Sequence, residues 1–192
     1  MSTVKSKKLQ VGTDATSSNN FTIYQPATPD GTLRIGVGNA DSPTEVGRFT
    51  SAGYKPATAP AFQAWLSANQ ALSINAWNKV TFDTTEFDTT NDFDTVNYRY
   101  IPSVAGYYQI NMAIGRSVST GSYLAALYKN GSEYTRGDYT NADSFGVTAS
   151  MLVYLNGTTD YIEAYVYSGA TAGNIWGIQQ RTHFDGFLVQ QA

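Results

Sequence analysis

The chain contains no cysteine, which excludes disulfides, thiolate metal sites and a thiol nucleophile. It has a single histidine, His183, so any imidazole chemistry must pass through one side chain. Charge is sparse as well: 14% of the residues are Asp, Glu, Lys or Arg, against roughly 25% in an average soluble domain. No apolar run approaches the ~20 residues that span a bilayer as a helix, which argues against membrane insertion. No dense basic stripe interleaves with aromatics, which argues against nucleic acid. The first eleven residues hold Lys5, Lys7 and Lys8 but no apolar core, so they are not expected to act as a secretory signal.

What the chain does have is aromatic and polar. Its 14 tyrosines lead an aromatic share of 14%, a composition that favours sheets and interfaces over helices. A surface rich in Thr, Ser, Asn and Tyr suits a chain that buries much of itself against copies or partners. The net charge of -3 conceals an asymmetry, because residues 1–60 carry +2 and residues 61–192 carry -5. A short basic lead and a larger acidic body fit two ends with different neighbours, and fit equally a scatter of surface charge without a role.

The period of two is the dominant pattern. In the stretch after Pro102, Tyr108, Ile110, Met112 and Ile114 fall on one face and Tyr107, Gln109, Asn111 and Ala113 on the other, as in a strand with one face in a core. Pro102 cannot donate to a ladder and should end the strand before it, with Gly106 letting the backbone re-enter the sheet. Phe62, Ala64, Leu66 and Ala68 alternate in the same way, as do Val147 to Leu155 and Tyr161 to Ser168. Asn130-Gly131 between two alternating runs predicts a hairpin closed by a type I′ turn. His183 to Val189 predicts a closing strand. Eight or more short strands with no helix describe an antiparallel sandwich.

Residues 1–55 are expected to form short strands around Phe21 to Tyr24, Thr32 to Val37 and Val46 to Phe49. So few large apolar residues cannot make a core of their own; the segment must lean on a second copy, on the main domain, or on something else. Tyr54 to Pro60 is expected to be a linker, giving domains at 1–55 and 56–192. Between Phe82 and Thr95 the tripeptide Phe-Asp-Thr occurs three times at intervals of five and six residues, which fits neither a strand nor a helix face and predicts a loop. Its Asp83, Glu86, Asp88, Asp92 and Asp94 are weak candidates for calcium ligands; the order departs from the EF-hand loop, and a solvated acidic loop is the ordinary reading. No metal or other cofactor is expected.

The order Phe93-Asp94, Tyr100, Pro102, Ala105-Gly106-Tyr107-Tyr108, Leu127-Tyr128-Lys129-Asn130-Gly131, Leu155 to Ile162 and Phe184-Asp185-Gly186-Phe187-Leu188-Val189 resembles the C1q/TNF-like jelly roll, from about residue 60 to the end. The resemblance implies an all-β antiparallel jelly-roll knob assembled as a homotrimer, with aromatic residues along the threefold; Phe62, Leu66, Tyr108, Tyr165, Tyr167 and Phe187 are the candidates. The leading segment, through Ser18 to Ile23, Pro29 to Ile35, Gly38-Asn39-Ala40 and Thr50 to Gly53, resembles short β-modules of bacteriophage fibre and virion-surface proteins. That implies docking on a major capsid or other virion protein, with Lys5, Lys7, Lys8, Phe21, Ile23, Leu33 and Ile35 as candidate contacts. The absence of a Gly-X-Y run argues against a secreted animal C1q-like protein.

A Ser-His-Asp arrangement would have to use His183 and Asp185, which share a strand face, and a hydrogen-bonded strand histidine is the ordinary reading. No enzyme is expected. Asp138, Asp143 and Asp160 read as turn residues. Two functions remain open: a structural trimer on the virion surface, either capsid decoration (cement) or a short head fibre, and a tail-fibre tip whose tyrosines and Trp176 grip a host surface glycan. Tyrosine and tryptophan suit both sugars and trimer interfaces.

Overall fold

A computed structural model of the protein describes residues 7–57, 59–117, 121–141, 146–169 and 173–192. The chain divides into two compact units, Met1–Ala59 and Pro60–Ala192.

The leading unit is a single antiparallel sheet of five strands in sequence order: β1 (Lys8–Val11), β2 (Phe21–Tyr24), β3 (Leu33–Val37), β4 (Thr44–Thr50) and β5 (Gly53–Pro56). Pro29-Asp30-Gly31 and Ser51-Ala52-Gly53 turn the chain between neighbours, as their turn-forming residues require. The expected linker from Tyr54 is corrected here. Gly53–Pro56 pairs with β4, Phe49 facing Tyr54 and Gly47 facing Pro56, because the Ser51-Ala52-Gly53 turn closes a hairpin instead of ending the sheet. Proline is tolerated at the end of this edge strand, where its missing N–H deprives no neighbour. Four residues, 57–60, then join β5 to the knob.

The knob strands are β6 (Ala61–Trp65), β7 (Gln70–Ala71), β8 (Ala76–Lys79), β9 (Thr84–Asp88), β10 (Phe93–Asp94), β11 (Arg99–Tyr100), β12 (Gly106–Gly115), β13 (Tyr123–Lys129), β14 (Ser132–Thr140), β15 (Gly146–Leu155), β16 (Ile162–Ser168), β17 (Asn174–Ile175) and β18 (His183–Gln191). One sheet runs β15-β12-β18-β6-β9 and the other β10-β11-β16-β13-β14, with β8 also paired to β16. β7 and β17 form a small separate pair. All pairings are antiparallel, and the closing strand β18 lies between β12 and β6 rather than at an edge. Asn130 and Gly131 have φ of 54° and 75°, the two left-handed residues that a type I′ hairpin requires.

The core lies between the two sheets. Tyr108, Ile110, Met112 and Ile114 of β12 meet Tyr123, Ala125 and Leu127 of β13 and Ile162, Ala164 and Val166 of β16, all buried. Phe62 is the hub of an aromatic group, stacked on Tyr100 at 4.1 Å between ring centroids, edge-on to Phe184 at 5.1 Å and stacked on Phe93 at 5.3 Å. Each such side chain contributes on the order of 1.5–3 kcal/mol by leaving water. Gly186 makes room for the hub, since a Cβ there would stand 2.6 Å from Ile110 Cδ1 and 2.9 Å from Phe62 Cε1. The break after Pro102 is closed by the Tyr108 hydroxyl, which donates to the Val104 carbonyl at 2.7 Å.

Two further expectations are corrected. The strand beginning at Phe62 stops at Trp65, although Leu66 stays buried. The Phe-Asp-Thr segment is not mainly a loop: Thr84–Asp88 is an edge strand on β6 and Phe93–Asp94 pairs with β11. Its five- and six-residue spacing arises because Phe82 and Phe93 enter one core from successive pieces of chain, while Phe87 between them stays exposed.

Candidate interaction faces

Three sheet faces carry the candidate residues. The first is the outer face of β15-β12-β18-β6. Registers Tyr107↔Tyr154, Gln109↔Leu152 and Gln109↔Phe187 place four large side chains side by side near one end of these strands. Leu152, Phe187 and Tyr107 are 57%, 48% and 45% exposed, and the Tyr107 and Tyr154 rings lie 5.6 Å apart. A polar stripe borders this patch: Gln109 donates to the Ser150 hydroxyl at 2.8 Å, Ser150 to Asn111 Oδ1 at 2.8 Å, and Asn111 to Asp185 at 2.9 Å. Beyond the stripe, Trp65 faces His183. Further along, a hollow of about 240 Å³ is lined by Ala113, Val147, Thr148 and Trp176 among others, and the Arg181 guanidinium lies 4.3 Å from the Trp176 ring centroid.

His183 Nε2 stands 3.9 Å from Asp185 Oδ2 and its Nδ1 lies 3.2 Å from the Gln179 carbonyl. The nearby Ser150 hydroxyl is spent on an amide, Asn111, so no base polarises it. This is the arrangement of a strand histidine held by its neighbours, not of a nucleophile with its base.

The second face is the outside of β8, β16, β13 and β14. Tyr128 stacks on Tyr165 at 4.0 Å, Trp77 meets Tyr128 and Tyr167 edge-on at 5.9 and 5.7 Å, and the Arg136 guanidinium lies 5.9 Å from the Trp77 ring centroid. Burial pushes the Tyr128 and Tyr165 hydroxyls up from their ordinary pKa. Glu163 shares this face of β16 with Tyr165 and Tyr167 and is buried, its Oε1 taking Lys79 Nζ at 2.5 Å; a carboxylate so placed needs that partner. Nothing but the period-of-two pattern marked this face, and Trp77, Arg136 and Glu163 were missed because their proximity depends on β8 and β14 flanking β16 and β13.

The third face belongs to the leading sheet. Registers Leu9↔Ile23, Val11↔Phe21, Phe21↔Val37, Ile23↔Ile35 and Leu33↔Phe49 bring these side chains onto one side, with Tyr54 beside Phe49 at 5.4 Å. Leu9, Val11, Phe21, Leu33, Phe49 and Tyr54 are all exposed. The opposite side is charged and partly roofed. Arg34 bonds Asp30 at 2.6 Å and Glu45 at 3.1 Å, and Arg48 bonds Glu45 at 2.6 Å. The Thr32 hydroxyl and Arg34 hold the Asp30 carboxyl down at about 2. Pro43 packs over Gly36, and the buried Asn20 amide bonds Asp14 and Asn39. Thus Phe21, Ile23, Leu33 and Ile35 share one face, Lys8 sits on the other, Lys7 is at the rim, and Lys5 lies outside the described residues.

The trimer candidates divide. Phe62, Leu66 and Tyr108 are corrected: they are at most 2% exposed inside one chain's core and have no surface to offer another copy. Tyr165 and Tyr167 lie half-buried on the second face and Phe187 on the first. The acidic candidates are dispersed among separate hydrogen-bond donors. Asp83 accepts from the Ser67 N–H and hydroxyl, Asp88 from Thr90 and Phe93 N–H, Asp92 from Ser103, Asp94 from Val96 and Asn97 N–H, and Glu86 from Gln179. Among the described residues no three His, Asp or Glu side chains converge to hold a metal ion. Asp138 accepts from Thr148, and Asp160 bonds Asn130 and Lys129; Asp143 lies outside the described residues.

No protein-family model matches the chain, and no curated protein matches it in sequence. Solved structures do match in fold. The globular domain of zebrafish complement 1qA aligns with a TM-score of 0.55 at 17% identity, covering 70% of this chain and 99% of that one. Murine APRIL aligns with a TM-score of 0.56 at 8% identity, covering 68% and 99%. PRD1 vertex protein P5 aligns with a TM-score of 0.52 at 19% identity, covering 69% and 97%. The chain therefore carries a C1q/TNF-like jelly-roll fold.

Proposed function

We propose that the protein is a non-enzymatic structural component of a bacteriophage virion. It is a homotrimeric capsid decoration (cement) protein or short head fibre, attached at the virion surface through its leading unit and displaying the knob outward. The likeness of the knob to a phage vertex protein is the observation that carries the virion reading. The trimer reading is supported by the exposed patch of Tyr107, Leu152, Tyr154 and Phe187 on the outer face of β15-β12-β18. Its aromatic, uncharged centre bordered by the Gln109-Ser150-Asn111-Asp185 stripe has the composition of an interface core with a polar rim. Obligate interfaces commonly bury on the order of 2,000 Å² or more, enough to tie folding to assembly.

A second reading is a tail-fibre tip for a host surface glycan, favoured by the cluster of Trp77, Tyr128, Tyr165 and Tyr167 on the second face. Aromatic platforms suit sugar rings, and Arg136 beside Trp77 supplies donors.

The test is a deletion. Without residues 1–55 the chain is expected to sediment as a trimer at micromolar concentration, like the full chain, and to lose attachment to particles. A folded monomer in the full chain would sink the trimer, and a truncated protein that still decorates particles at full occupancy would reverse the orientation. Binding to host glycans by a protein confined to tail fibres would favour the second reading.

A further inference from the structure

We infer that the apolar face of the leading sheet is covered by the same face of two sister copies, so that three leading units close into a collar. The inference rests on the homotrimer proposed above and adds what that reading leaves open, namely which side of the leading sheet meets what.

Three observations select sister copies over a virion protein as the occupant. The face is apolar from one edge of the sheet to the other: Leu9 and Val11 on β1, Phe21 and Ile23 on β2, Leu33, Ile35 and Val37 on β3, Phe49 on β4, Tyr54 on β5. Among the described residues its centre carries no charged side chain, Lys7 standing only at the rim, so the apolar centre is self-complementary under rotation. Its exposed large side chains amount to on the order of 700 Å², at ~200 Å² for each fully exposed one, close to the ~800 Å² per partner of a standard interface.

The second observation is connectivity. Only residues 57–60 separate Pro56 from the first knob strand. In a knob trimer such a short tether holds three apolar faces at an effective concentration in the millimolar range, far above that of any separate partner. The third is the edges. β1 begins at Lys8 and β5 ends in Lys55-Pro56; lysine and proline blunt edge pairing and leave face-to-face packing as the way to bury the apolar side. The charged side, with Lys8, Arg34, Glu45, Arg48 and Lys55, then turns outward. Of the candidate docking residues, Lys8 remains for the virion and Phe21, Ile23, Leu33 and Ile35 turn toward the sister copies.

The absence of native cysteine makes a thiol test clean. Ile23→Cys and Leu33→Cys report the apolar face of the full chain, and Lys55→Cys, exposed on the other side of β5, is the control. Reaction with a maleimide is expected to be about tenfold or more slower for the two apolar-face variants, since labelling must wait for local opening. Equal rates for all three in protein that sediments as a trimer would overturn the collar and leave the homotrimer standing. Equal rates in protein that sediments as a monomer would remove the homotrimer, and the collar with it. Protection that arises only on mixing with particles would assign the face to a virion protein, which also overturns the collar.

Discussion

The knob and the leading sheet are made of the same material, antiparallel strands with one apolar and one polar side, yet they dispose of the apolar side differently. In the knob, Tyr108, Ile110, Met112 and Ile114 alternate along β12 and are at most 2% exposed, because a second sheet lies over them. In the leading unit, Leu33 and Phe21 alternate just as regularly and are 49% and 48% exposed. Its fully buried side chains are polar, Asn20 and Thr22, held by the loop that carries Asp14 and by the Gly38–Asn39 turn. The difference teaches that a period of two fixes which residues share a face but not what covers that face. One unit supplies its own cover; the other has only a single layer, and its stability depends on what it meets.

The largest effect should come from breaking the knob's cover at its hub. Phe62→Ala removes the ring that stacks on Tyr100 and Phe93, and is expected to cost ~3–5 kcal/mol in urea denaturation. Gly186→Val should do at least as much harm, because the added carbons collide with Ile110 and Phe62 itself. Phe21→Ala in the leading sheet should move the knob's transition by less than ~0.5 kcal/mol. Equal losses from Phe62→Ala and Phe21→Ala would mean that the two units unfold as one and that the contrast drawn here is wrong.

Alkaline titration sharpens the same contrast. Burial pushes the Tyr108 hydroxyl up to about 12, and burial raises Tyr100 and Tyr123 further in the same direction. A phenol whose folded value lies above its unfolded value of ~10 binds more protons in the folded state between the two. Stability from this source is therefore intact below about pH 10 and is lost as pH rises through 12. Absorbance at 295 nm should show a late ionisation step that coincides with loss of the knob's circular dichroism. Ionisation of all tyrosines in one step near pH 10, with the fold intact, would contradict the sealed core.

How much was legible beforehand follows from the same distinction. The β12 alternation, the Asn130-Gly131 hairpin and the closing strand are local patterns, and the chain folds as they indicate. β9 escaped notice because an edge strand buries little: Phe87 points outward and the bulge between Gln63 and Ala64 breaks the expected spacing. β5 escaped because Pro56 and the Ala57, Ala59 and Pro60 that follow it resemble a linker, and only pairing with β4 makes it a strand. Phe62, Leu66 and Tyr108 suit a threefold as well as a core on sequence grounds, because large aromatic and aliphatic residues look alike whether they fill a core or an interface; which of the two applies is set by the facing sheet. The outer patch of Tyr107, Leu152 and Tyr154 was hidden for the complementary reason, since its members come from strands some forty residues apart in sequence.

The smallest expected effect concerns the acidic segment between Phe82 and Thr95, at one edge of the knob. Asp83, Glu86, Asp88, Asp92 and Asp94 are enough carboxylates to hold a calcium ion if they converge, but each is turned to a separate hydrogen-bond donor. Burial by itself would raise the Asp83 carboxyl, yet the Ser67 hydroxyl and N–H bring it below its ordinary value. The Asn97 side chain and backbone N–H lower Asp94 likewise. Oxygens engaged in this way already have the stabilisation a cation would offer, and a cation would have to displace those donors and gather the five carboxylates into one site. A ligand stabilises only by binding the folded state in preference to the unfolded one, so adding a chelator should leave the melting temperature unchanged. A fall of several degrees, restored by calcium and abolished in Asp88→Asn with Asp92→Asn, would show that these carboxylates do converge on a metal.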